Sequence, residues 1–149
     1  MASNNKKHKP NPRRKAREYA VQALYQWQVG QSSVPDILSE FMSEHVINGT
    51  DTGYFQELLE GVVSEQAVLD EYIRPLCRQD FEDINAVELA ILRIGVYEFM
   101  HKPDVPFKVV INEAVDLCKL FGAQDGYRFI NGVLHQLAPR IREVEAGDL

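Results

Sequence analysis

The chain has 149 residues, 45% of them hydrophobic, with 16 Lys and Arg against 22 Asp and Glu for a formal net charge of −6. That length and apolar content suit one domain with a sizeable core, and no stretch approaches the ~18 uncharged apolar residues that a membrane span needs. No apolar leader opens the chain, and Cys77 and Cys118 stand far apart without CxxC spacing, so the expectation is a cytoplasmic protein with buried, reduced thiols and no membrane partner.

The charge is unevenly placed. Lys6, Lys7, Lys9, Arg13, Arg14, Lys15 and Arg17 precede the first carboxylate, Glu18, and removing these seven positive charges from −6 leaves −13 on residues 18–149. A cationic arm on an acidic body suggests a polyanionic partner for the arm, because Lys and Arg bind nucleic acid first through its phosphates. Residues 1–12, rich in Asn, Lys and Pro, read as a flexible basic arm, and 13–149 as a single helical domain.

From Ala16 the pattern is helical: Ala16, Ala20, Ala23, Leu24 and Trp27 form one stripe. At roughly 100° per residue, Arg14, Arg17, Val21 and Tyr25 fall on one flank of it, which places cations beside an aromatic. A second helix is predicted over 35–47 with Ile37, Leu38, Phe41, Met42 and Val46 inward, and Gly49 as its stop. Thr50 or Asp51 starts a third, one long helix to Pro75 with a kink near Gly61. Asp83 is the expected cap of the fourth, which is apolar on most faces and so should be enclosed. Pro103 and Pro106 break it; a fifth helix runs from Phe107 to Phe121, with Gly122 ending it. Asp125 is the expected cap of the last, with Ile130, Val133, Leu134, Leu137 and Ile141 as its stripe. The fold class is all-α: six to seven helices in two small packed bundles whose halves meet near 76–83.

Motifs for catalysis and cofactors are missing. His8, His45, His101 and His135 show no HExxH and no i, i+4 pairing with a ligand, so no metal is expected. The glycines form neither GxxxxGK[ST] nor GxGxxG, and no serine sits in a GxSxG elbow, so no cofactor is expected and the chain reads as a binder rather than an enzyme. One further cluster stands out at residues 121–129 (FGAQDGYRF), where a Gly-ended helix meets another helix start. Arg128 lies there on an opening turn, favourable to phosphate, and Phe129, about 100° from Ile130, either fills the bundle edge or offers a ring face to a base.

Four ordered stretches, 13–27 (RRKAREYAVQALYQW), 90–98 (AILRIGVYE), 104–114 (DVPFKVVINEA) and 129–134 (FINGVL), resemble the NusB family of bacterial transcription antitermination factors, over roughly residues 13–141. The resemblance implies an all-helical fold of two small bundles. It also implies a protein that, with the ribosomal protein NusE, binds the boxA RNA of nascent ribosomal-RNA leaders and joins RNA polymerase and other Nus factors in a processive elongation complex. Carried over position by position, the implied RNA contacts are Arg13, Arg14, Arg17, Tyr25, Asp125, Arg128 and Phe129, and Glu88 matches the NusE-facing surface. Before the phenylalanine, where the family has a lysine or histidine neighbourhood, this chain reads Gly126-Tyr127-Arg128.

Two rival readings remain open at this level. One is the helical module that opens certain RNA cytosine methyltransferases, for which 149 residues leave no room for a cofactor-binding α/β domain. The other is a protein-interaction module with a passive tail, for which a homodimer is one form.

Overall fold

A computed structural model describes residues 11–44 and 49–142. The arm up to residue 10, the end of the second predicted helix with Val46, and residues 143–149 lie outside them. Among the described residues there are seven α-helices and no strand: α1 (Pro12–Val29), α2 (Val34–Glu44), α3 (Thr52–Ser64), α4 (Gln66–Ile73), α5 (Ala86–His101), α6 (Phe107–Phe121) and α7 (Gly126–Ile141).

Local chemistry sets most of the helix starts. The Asn11 side chain accepts from the Arg14 N–H at 3.0 Å with Pro12 in the first turn, and Asp51 accepts from the Tyr54 N–H at 3.0 Å. The cap of α5 is Asn85, which accepts from Val87 and Glu88 at 2.8 and 3.3 Å. Asp83, the expected cap, instead closes a 3₁₀ turn, Phe81–Asp83, and the helix starts two residues later than expected. The long third helix is in fact two, broken at Glu65 rather than at Gly61. Gly61 serves packing: a methyl group there would overlap the Tyr97 ring.

Helix α5 organises the molecule. Every residue from Glu88 to Phe99 is buried, as its all-round apolarity predicts, because α1, α3 and α4 pack on one part of its circumference and α6 and α7 on another. The two halves therefore share one core. Ala16, Ile37, Phe55, Leu69, Ile91, Ile111 and Ile130, one from each helix, belong to a single hydrophobic cluster. The segment expected to join the halves contains two short 3₁₀ turns, Arg74–Leu76 and Phe81–Asp83.

Buried polar groups tie the helices together where apolar contact cannot. Arg93 on α5 forms a two-pronged pair with Asp70 on α4, both bonds 2.9 Å, and donates to Gln28 on α1 at 2.9 Å. Arg142, just past α7, donates to the carbonyls of Glu98, Phe99 and Lys102 at 2.8 to 3.0 Å, which ties it to the C-terminal end of α5. On the other flank the Tyr97 hydroxyl donates to Glu57 at 3.1 Å. Burial and that hydrogen bond push its phenol up to about 12.

Two outcomes follow from Tyr97. Gly61→Ala should cost about 1–3 kcal/mol through overpacking against the ring, read as a lower urea midpoint with unchanged slope. The raised phenol stabilises the fold fully below the unfolded tyrosine value near 10, and that contribution is lost as pH rises through about 12. Melting temperature should therefore fall over this alkaline window, and fall less steeply in Tyr97→Phe.

Candidate nucleic-acid interface

The three arginines at the start of α1 are all engaged within the molecule. Arg17 is 3% exposed. Its Nε–H and Nη2–H donate to the Glu98 carboxylate at 3.1 and 2.9 Å, and Nη1–H donates to Glu113 at 3.4 Å. The Tyr54 hydroxyl also donates to Glu98, which is 1% exposed. Burial alone would lower the Arg17 pKa, but the hydrogen bonds and charge of Glu98 outweigh it and hold it above its ordinary value. Burial and the Glu98 charge raise the Tyr54 phenol in turn.

This corrects the helical-phase expectation of one exposed flank. Arg17 and Val21 both point inward, because α5 and α6 close over that side of α1 and supply the carboxylates. Arg17 thus has no open face for a phosphate.

Arg13 and Arg14 lie nearer the surface, yet each is paired. Arg14 grips Glu113 with two bonds, 3.2 and 2.6 Å, and reaches Asp116 at 3.4 Å. Its hydrogen bond to Glu113 raises its pKa. Arg13 donates to Asp104 at 3.1 Å and lies 4.3 Å from the centroid of the Tyr54 ring; that hydrogen bond lowers the Asp104 pKa.

Tyr25 stands roughly 16 Å further along α1, at 1.5 Å per residue, and is 44% exposed. It lines a mostly apolar groove of about 520 Å³ with Val21, Val29, Phe41, Val87 and Phe121. Its ring is therefore open to a ligand, in a groove that none of the α1 arginines lines.

The α6–α7 corner carries the second cluster. Asp125 has φ 67°, the only positive φ at a non-glycine among the described residues, and its side chain makes no capping hydrogen bond. The expected cap is thus absent: the left-handed backbone, which Asp tolerates better than most residues, carries its carboxylate away from the free N–H groups and to 3.9 Å from the Arg128 guanidinium. The Arg128 side chain is 74% exposed. With Phe129, half-buried, these two residues line a recess of about 340 Å³ that also takes in Leu76, Arg78 and Gln136. Asp125, Arg128 and Phe129 are thus brought together as the sequence implied.

Glu88 sits between these two surfaces. It follows Val87 of the apolar groove and is 9% exposed, and its carboxylate presses on Gly126 at the head of α7, where a methyl group would overlap it. Its charge, with burial as the larger cause, raises the Cys118 thiol to about 11. The expected partner-facing carboxylate is therefore mostly enclosed. Two residues of this region carry no signal in a single sequence: Glu98, hidden in an apolar run, and Arg78, in an irregular connection.

Comparison with known proteins identifies the family and the fold. Residues 14–139 match the family model described as the NusB family. The chain is 49% identical over 132 residues to the transcription antitermination protein NusB of Shewanella amazonensis, covering 89% of this chain and 98% of that one. It is 46% identical over 134 residues to that of Edwardsiella ictaluri, covering 90% and 96%. Among solved structures, T. maritima NusB superposes with a TM-score of 0.78 at 24% identity, covering 87% and 92% of the chains, which shows the shared fold. A structure of antitermination factors NusB and NusE in complex with double-stranded RNA superposes with a TM-score of 0.77 at 26% identity, covering 86% and 96%.

The arginines differ in what their removal costs. Arg17→Ala leaves Glu98 buried without its counter-ion and should lose about 3–5 kcal/mol of stability, whereas Arg14→Ala, at a half-exposed pair, should lose under about 1 kcal/mol. Chemical denaturation of the two variants side by side measures this; equal losses would contradict the buried network.

Proposed function

The chain belongs to the NusB family of transcription antitermination proteins, and from that membership we propose that it binds boxA RNA of ribosomal-RNA leaders together with the ribosomal protein NusE. In this role it supports processive elongation by RNA polymerase alongside other Nus factors, acts as a binder and not an enzyme, and works in the cytoplasm. Likeness across nearly the whole chain to proteins named NusB carries the assignment. No helix among the described residues is long and apolar enough to cross a membrane, which fits a partner in solution.

The residues divide the work by their surroundings. Tyr25 and Phe129 offer ring faces to unpaired bases, since stacking tolerates any base. Arg128, exposed and weakly paired, takes a phosphate directly. Arg13 and Arg14 reach phosphate only by exchanging Asp104, Glu113 or Asp116 for it, so their net contribution is smaller than two free cations would give. Arg17 is a positioning residue: its pair with Glu98 fixes the start of α1 and thereby Arg13 and Arg14. Asp125 orients Arg128. The apolar groove beside Tyr25 and Val87 receives NusE, and the acidic body steers a basic ribosomal protein toward it.

Titration of labelled boxA RNA and a scrambled strand, with and without NusE, tests this. Weak binding alone and a clear gain with NusE is expected, and the same coupling factor must appear when RNA is held and NusE is varied. Phe129→Ala should cost roughly 1–3 kcal/mol of RNA binding, and less stability than the ~3–5 kcal/mol of a fully buried Phe. Glu88→Gln, which keeps the shape and removes the charge, should weaken NusE association and leave RNA binding by the isolated protein intact. No boxA preference in any arm, with NusE still bound, would favour the protein-interaction module with a passive tail.

A further inference from the structure

The connecting segment between the two halves adds a cation to the α6–α7 recess. Arg78, just past the Arg74–Leu76 turn, lines the same recess as Arg128 and Phe129. It is exposed, and its side chain makes no ion pair or hydrogen bond with the described residues. Arg128, on α7, has only the 3.9 Å approach of Asp125. Every α1 arginine, by contrast, already holds a carboxylate at 3.1 Å or less.

The contrast bears on binding. A paired arginine gains from a phosphate only the difference between two anions, while an unpaired one gives up only hydration and releases the counter-ions of the strand in full. Two guanidiniums against one Asp125 carboxylate leave the recess net positive. Its volume of about 340 Å³ lies at the small end of the ~300–1,000 Å³ range of ligand pockets, a fit for one nucleotide rather than several.

We propose that Arg78 is a further RNA-binding residue of this chain, forming with Arg128 a two-sided phosphate clamp for a single unpaired nucleotide whose base lies on Phe129. Gln136, in the same lining, supplies an amide donor and acceptor within the recess. The clamp joins the segment between the halves to the head of α7, so the RNA path crosses the connection as well as the helix. This inference rests on the RNA-binding function proposed above.

The test is a fluorescence-anisotropy titration of the full chain with a labelled single-stranded boxA RNA across a salt series, for the unsubstituted protein, Arg78→Ala, Arg78→Lys, Arg128→Ala and Arg140→Ala. Arg140 is an exposed cation in the last turn of α7, outside the recess. Loss of one phosphate contact should reduce the magnitude of the log–log salt slope by about 0.7. Arg78→Ala should show that reduction, with affinity falling roughly five- to tenfold at low salt and melting temperature unchanged. Arg78→Lys should keep the slope and lose part of the affinity, because the charge remains and the planar fork does not. Unchanged affinity and slope in Arg78→Ala while Arg128→Ala weakens binding would overturn the clamp and leave RNA binding standing. So would an equal loss in Arg140→Ala, which would mark a general charge effect. Absence of binding by the unsubstituted protein would overturn the RNA-binding function itself, and the clamp with it.

Discussion

The buried pair of Arg17 and Glu98 is the constraint around which the start of α1 and its neighbours are built. Two charges of opposite sign are enclosed where α1, α5 and α6 converge, with Tyr54 of α3 and Glu113 of α6 completing the hydrogen bonds. Such a pair adds little net stability over a well-packed apolar substitute. What it does impose is register: α1 can seat in only one rotation and one depth, since any slip strands a charge in the core. From that seat Arg13 meets Asp104 and Arg14 meets Glu113, and Tyr25 emerges near the far end of the same helix into the groove beside Phe121.

Helix α5 transmits the same kind of constraint to the other site. Its first turn holds Glu88 against Gly126, and Gly95 lies so close to Leu134 that a methyl group would press on that side chain at 3.0 Å. The head and middle of α7 are thus set by close approach to α5, and so are Arg128 and Phe129 at its start. Because Glu88 touches α7 on one side and neighbours Val87 of the apolar groove on the other, the groove and the recess rest on one turn of one helix.

The cations fall into two electrostatic populations. The three arginines of α1 are paired with carboxylates drawn from distant parts of the chain, 81 to 102 residues away. Those around the α6–α7 corner, Arg128 and Arg78, are exposed and nearly unpaired. Counting positive charge along the chain weights the first group; pairing in three dimensions shifts the weight to the second.

Periodicity by itself determined the helical class, the enclosure of α5 and the stop at Gly122, because these depend on interactions within three or four residues and on the apolar fraction of each face. The motifs around Arg13, Ala90, Asp104 and Phe129 further determined the family, to which residues 14–139 conform. Tertiary structure alone decided the rest. The phase that put Arg17 beside Tyr25 on a helical wheel said nothing of which carboxylates would close over it, since Glu98 and Glu113 are contributed from 81 and 96 residues away. The cap expected at Asp125 failed because the chain turns through a left-handed residue there and the side chain makes no capping hydrogen bond. Arg78 lines the recess through packing alone: a residue in an irregular connection acquires its neighbours only when the helices on either side have packed.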